Sequence, residues 1–97
     1  MPYIINGRKY CIESSETLHE SGDGRSLSPD CGFLGVYRSP GGTLWARHYY
    51  WANEGRDVER LAEGEEEVKR LIGDARRPRA FEAVFEAEGR MADKEKV

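Results

Sequence analysis

Cys11, Cys31, His19 and His48 are the residues from which a thiol nucleophile with an imidazole base, or a zinc site, would be assembled. A thiolate becomes reactive when neighbouring positive charge or a helix N-terminus lowers its pKa. Nothing in the sequence beside either cysteine supplies that, and no oxyanion loop or phosphate-cradling glycine motif accompanies them. Structural zinc sites draw ligands from closely spaced pairs, and no pair among these four is close. The sequence therefore predicts no catalytic residue, no metal and no cofactor. The spacing of Cys11 and Cys31 permits a disulfide without arguing for one.

Charge offers a different chemistry. The formal net charge is -3, and the chain up to residue 53 balances five acids against five bases. From residue 54 to 67 there are seven acids, Glu54, Asp57, Glu59, Glu63, Glu65, Glu66 and Glu67, against Arg56 and Arg60. Such a stretch can imitate a phosphate backbone and occupy a basic groove on a nucleic-acid-binding protein, with fast and salt-sensitive association. It can equally be a solvated helix start, since acids suit the positive end of a helix dipole. The sign then reverses at Lys69, Arg70, Arg76, Arg77 and Arg79. Arg76, Arg77 and Arg79 are the candidates for contact with nucleic acid, and the overall acidity speaks against a strong DNA binder.

Six of the ten aromatic residues lie between Gly32 and Trp51: Phe33, Tyr37, Trp45, Tyr49, Tyr50 and Trp51. Tyr and Trp give large contact area with few rotors to freeze, so they recur at binding hot spots. In a lean chain some must form core, and Tyr37 with one of Tyr49 and Tyr50 is expected there. If two of Trp45, Tyr49 and Trp51 are exposed together, a partner is implied.

Short elements must position these residues. Tyr3-Ile4-Ile5, Asn6-Gly7 and Arg8-Lys9-Tyr10-Cys11-Ile12 read as a hairpin, because Asn-Gly supplies the two positive-φ residues of a type I′ turn. Residues 14–20 are predicted to form a short helix with a serine N-cap, stopped by Gly22-Asp23-Gly24. The chain then reads as a loop to Cys31. Phe33 to Arg38 and Thr43 to Trp51 alternate around Ser39-Pro40-Gly41-Gly42 as a second hairpin. Asn53 to Arg56 reads as a turn, and Val58 to Leu61 as one more strand. Glu65 to Ile72 sets Val68, Leu71 and Ile72 on one helical stripe, with Lys69 and Arg70 in the last turn and Gly73-Asp74 as the stop. Pro78 opens a second helix with Phe81, Val84 and Phe85 as its stripe, ended by Gly89.

The expected fold is α+β: an antiparallel sheet of four or five strands made largely of two hairpins, with two C-terminal helices on one face. Residues 1–90 form one domain and 91–97 a disordered tail. With 97 residues, 38% hydrophobic and 34% charged, the chain is near the lower limit for a self-sufficient core. No apolar run approaches the roughly 18 residues of a membrane span. The N-terminus does not read as a signal peptide, so a cytoplasmic protein with reduced thiols is expected.

Ile5-Asn6-Gly7-Arg8-Lys9-Tyr10, Val36-Tyr37-Arg38-Ser39-Pro40-Gly41-Gly42 and Leu61 to Ile72 together resemble a set of small orphan proteins of bacterial phages and mobile elements. In those an Asn-Gly hairpin precedes a Tyr-Arg-Thr-Pro-x-Gly turn, an aromatic strand and an acidic amphipathic helix. The resemblance covers roughly residues 3–86 and carries no activity. Ala62-Glu63-Gly64 and Tyr49-Tyr50-Trp51-Ala52 depart from the pattern. Combined with small size and lopsided acidity, it leads to an expected function. That function is a non-catalytic inhibitor of the anti-CRISPR type, binding a protein of a host defence complex such as a CRISPR effector subunit. The expected contact residues are Trp45, His48, Tyr49, Trp51, Glu54, Asp57, Glu63, Glu65, Glu66 and Glu67. The alternatives are a small nucleic-acid-binding regulator using Arg76, Arg77 and Arg79, and a self-associating, antitoxin-like module whose hairpin edge makes a homodimer.

Overall fold

The computed structural model describes residues 2–22, 32–51 and 57–86. The order of elements is β1 (Pro2–Ile5), β2 (Arg8–Cys11), β3 (Glu16–Ser21), β4 (Phe33–Arg38), β5 (Leu44–Trp51), β6 (Asp57–Glu63), α1 (Glu65–Asp74) and α2 (Pro78–Phe81). α2 continues as one wider π-turn over Glu82–Glu86. The fold is α+β, as expected. Its strands form two antiparallel sheets, a four-stranded sheet in the order β3-β4-β5-β6 and the separate pair β1-β2. The hairpins are therefore not merged into one sheet: β1-β2 lies across a face of the larger one.

Turn chemistry explains both hairpins. Asn6 and Gly7 have φ of 53° and 79°, as a type I′ turn requires, and Ile5 pairs with Arg8 across it. Between β4 and β5 the Gly42 amide donates to the Ser39 carbonyl at 2.8 Å and the Ser39 amide to the Thr43 carbonyl at 2.9 Å. Gly42 takes a φ of 90° where the loop rejoins the strand, a conformation that glycine adopts without a Cβ clash.

The helix expected over 14–20 is not formed. Ser14 and Ser15 do not cap; their hydroxyls turn back to the Cys11 carbonyl at 3.3 and 2.7 Å and make the corner after β2. Residues 16–21 then pair with β4 as an edge strand, with an irregularity between Thr17 and His19 that admits Leu18. The segment has one aliphatic residue, Leu18, so a helix there would bury no stripe, whereas a strand places Leu18 against the core.

β4, β5 and β6 alternate between two covered faces. On one, Leu34, Val36, Ala46 and Ala62 meet Val68, Leu71 and Ile72 of α1 and Ala80, Val84 and Phe85 beyond it, with Phe81 at the margin. This is the helix packing that the apolar stripes predict. On the other face, Tyr37 and Trp45 meet Ile5 and Tyr10 of the β1-β2 hairpin, with Tyr3, Ile12 and Leu61 alongside. The protein thus has three layers: helices, sheet and hairpin.

α1 begins after Gly64, whose φ of 89° turns the chain out of β6, and Glu65, Glu66 and Glu67 fill its first turn. It runs past Gly73 to Asp74, so Lys69 and Arg70 sit mid-helix and no base occupies the last turn. The left-handed residue after the helix is Arg76, with φ of 55°. The expected loop to Cys31, the turn at Asn53 to Arg56, the stop at Gly89 and the 91–97 tail lie outside the described residues.

Candidate functional site

The hairpin covers only part of the outer face of the sheet. At the end of the face where β4 begins, Phe33, Tyr49 and Trp51 lie beyond it and Arg47 lies at its margin against Tyr3, and strand pairing brings the four together. Phe33 is opposite Tyr49, Tyr49 opposite Glu59, and Trp51 opposite Asp57. The Arg47 guanidinium is the centre of the group, 5.3 Å from the Tyr3 ring and 5.4 Å from each of the Phe33 and Tyr49 rings. Its Nε donates to Glu59 at 2.8 Å, which fixes the arginine plane over the aromatic rings. The Trp51 indole N–H donates to the Tyr49 hydroxyl at 3.3 Å. Trp51 is 42% exposed, so a large apolar ring is held against the edge of a charged network and still faces solvent.

The other expected contact residues divide. Trp45 is fully buried: alternation puts it on this same face, but β1-β2 folds over it. Tyr3, Tyr10 and Tyr37 lie 5.7, 5.4 and 4.6 Å from its ring, and its N–H donates to Ser15 Oγ at 3.1 Å. His48 is 1% exposed on the opposite face, beneath the helices, with the Tyr50 ring 5.1 Å away. Neither residue can be a contact residue in this fold. Tyr37 is core, as expected, while Tyr49 and Tyr50 are both half-buried.

The acidic stretch is partly consumed inside the molecule. Glu63 accepts from the Tyr10 hydroxyl and from Asn6 Nδ2 at 3.2 Å, with Arg8 3.9 Å away, and these hold its carboxyl below the ordinary carboxylate range. Burial first, and then that carboxylate, push the Tyr10 phenol up. Glu67 accepts the Glu63 backbone N–H at 3.1 Å, and Glu65 pairs with Lys69 at 3.1 Å. Asp57, Glu65, Glu66 and Glu67 are exposed; Glu54 lies outside the described residues.

No family model matches this chain. No curated protein and no solved structure is significantly similar to it either. The site therefore rests on its own chemistry.

The three arginines do not form one basic surface. Arg77 turns inward, donating to Ser21 Oγ at 2.8 Å and to the Gly32 carbonyl, while Arg76 and Arg79 are exposed. His19 is half-buried with Nε2 2.9 Å from Ser21 Oγ; burial, then Arg77, lower its pKa. Among the described residues no three His, Cys, Asp or Glu side chains gather in a way that could hold a metal ion. Cys11 is a half-buried free thiol, and Cys31 lies outside the described residues. Among those residues, no helix is long and apolar enough to cross a membrane.

Phe33, Arg47 and Glu59 are not among the expected contact residues, although the aromatic cluster includes Phe33 and the acidic stretch includes Glu59. The signal for them is the register across the Ser39–Thr43 closure. Counting outward from that pair sets Phe33 against Tyr49 and Arg47 between Tyr49 and Trp45 on one face.

Proposed function

We propose that this protein is a non-catalytic binding module that engages another protein through Phe33, Tyr49 and Trp51 and the acidic margin at Asp57 and Glu59. The observation that carries this reading is the pair of cross-strand juxtapositions Tyr49–Glu59 and Trp51–Asp57, which put the aromatic and acidic surfaces in one place. Aromatic anchors give contact area, and carboxylates at their edge select a basic counterpart. The partner class is a nucleic-acid-handling protein of a host defence system, of which a CRISPR effector subunit is the leading example. Small size, acidity and resemblance to phage and mobile-element orphan proteins support that choice. The inward turn of Arg77 speaks against the alternative of a nucleic-acid-binding regulator, because it removes one of the three arginines which that reading needs.

The test is capture of a CRISPR effector complex from expressing cells by the tagged protein and by a Trp51→Ala, Asp57→Lys variant. Both positions are exposed, so the variant is expected to fold. Capture by the parent and loss of about tenfold or more with the variant is the expected result. Equal recovery with both, or with neither, rejects the reading.

A further inference from the structure

β6 is the last strand of the four-stranded sheet, and the phase of its hydrogen bonds can be read. The Gly64 amide donates to the Leu44 carbonyl at 2.7 Å, which makes that pair a hydrogen-bonded one. In an antiparallel ladder such pairs alternate with pairs whose amides point away from each other. By the observed register, Ala62, Arg60 and Val58 therefore bond to β5, while Asp57, Glu59, Leu61 and Glu63 aim their N–H and C=O groups outward. The Glu67 carboxylate at the Glu63 amide confirms the phase and closes the edge at that end. Beside Leu61 the edge opens into a groove of about 310 Å³ between the Asn6 turn and α1, with Ile5, Leu61 and Leu71 among its walls and Glu67 and Arg70 on its rim.

We infer that β6 accepts an added strand from the partner, an extended segment with basic residues at alternate positions, whose charges meet Asp57 and Glu59 and whose end reaches the groove. Main-chain bonds to Asp57, Glu59 and Leu61 supply affinity, and the side chains on the sheet's outer face supply selectivity. Opposite charges directly across a strand pair stabilise it and like charges destabilise it. That rule selects the occupant. A second copy pairing β6 with β6 sets Asp57 against Glu63, Glu59 against Glu59, Glu59 against Glu63, or Asp57 against Glu59, according to register, and each of these pairings opposes carboxylates. A basic strand has no such conflict, and Tyr49 and Trp51 on the adjoining strand extend its footing. This inference rests on the protein-binding reading and specifies its geometry.

The probe is a capped Lys-Val-Lys-Val-Lys-Val peptide titrated into the full chain, followed by the backbone amide resonances of residues 57–63. Two isomers carry N-methyl groups, one on the lysine amides and one on the valine amides, with sequence and charge unchanged. A strand uses the amides of alternate residues along one edge, so one isomer should weaken binding about tenfold or more and the other by less than about threefold. Equal binding by both isomers overturns the inference, as does a parent peptide that shifts no resonance. An acidic Glu-Val-Glu-Val-Glu-Val peptide that binds as well as the basic one also overturns it. Glu59→Pro removes an outward amide and the carboxylate that Arg47 holds but leaves the main-chain bonds to β5 in place, and Glu59→Gln removes the charge while keeping the amide. If the effector is captured in a Trp51-dependent manner and Glu59→Pro captures it equally well, the edge inference fails while the binding function stands.

Discussion

The Tyr10 hydroxyl donates to the Glu63 carboxylate, a contact between residues separated by 53 positions that fastens the N-terminal hairpin to the end of β6. It makes a carboxylate from the acidic stretch a structural acceptor, and it explains why the hairpin covers one end of the sheet and leaves Phe33, Tyr49 and Trp51 uncovered by it.

The contact has a pH signature. The folded Glu63 carboxyl sits below the ordinary carboxylate value of about 4.3, which the unfolded chain keeps. The unfolded state therefore binds the proton first, and Glu63's contribution to stability is complete above that value and lost as pH falls through the lower folded one. Thermal unfolding between neutral and acidic pH should show a shallower acid decline for Glu63→Gln than for the parent. Identical slopes would remove Glu63 from the account.

Trp45 and Trp51 lie on the same face of β5, with Arg47 and Tyr49 between them, but differ in burial. Trp45→Ala should cost about 3–5 kcal/mol, the range for emptying a fully buried large aromatic site. Trp51→Ala should stay within roughly 0.5 kcal/mol, as for a surface position. Urea unfolding of the two variants checks this, and comparable losses would contradict the placement of the hairpin over Trp45.

Gly35 is required by packing. A Cβ built there would lie 2.6 Å from Tyr37 Cζ, because the Tyr37 ring folds back over the glycine. The same tyrosine donates to Glu20 at 2.7 Å. Gly35→Ala must push that buried ring aside, and a loss of about 1–3 kcal/mol is expected from overpacking. A variant as stable as the parent would show that the ring has room to move.

Tyr37 also predicts an alkaline limit. Burial, and then the Glu20 carboxylate, push its phenol far above the ordinary tyrosine value of about 10. The unfolded chain loses that proton first, so the stabilisation is complete below about pH 10 and declines as pH rises toward the folded value. In an ultraviolet titration of the five tyrosines, a late component should appear together with unfolding and should shrink in Tyr37→Phe, the raised Tyr10 phenol supplying what remains. A Tyr37 that titrates normally in the folded state would exclude its burial.

What the sequence determined by itself is local. Asn6-Gly7 and Pro40-Gly41-Gly42 specify two turns because few residues tolerate the backbone angles those turns need. The Val68, Leu71 and Ile72 stripe specifies α1, and the alternation in β4 and β5 separates Leu34, Val36, Ala46 and His48 from Phe33, Tyr37, Trp45, Tyr49 and Trp51. Alternation defines two faces of a sheet without stating what covers either. Only the tertiary structure decided that the hairpin lies across the sheet, burying Trp45 and not Trp51, and that residues 16–21 pair with β4 where local composition suggests a helix. It also decided that Glu63 serves Tyr10. These outcomes follow from contacts between distant segments, where burial of a whole surface outweighs the weak preferences of six or seven residues.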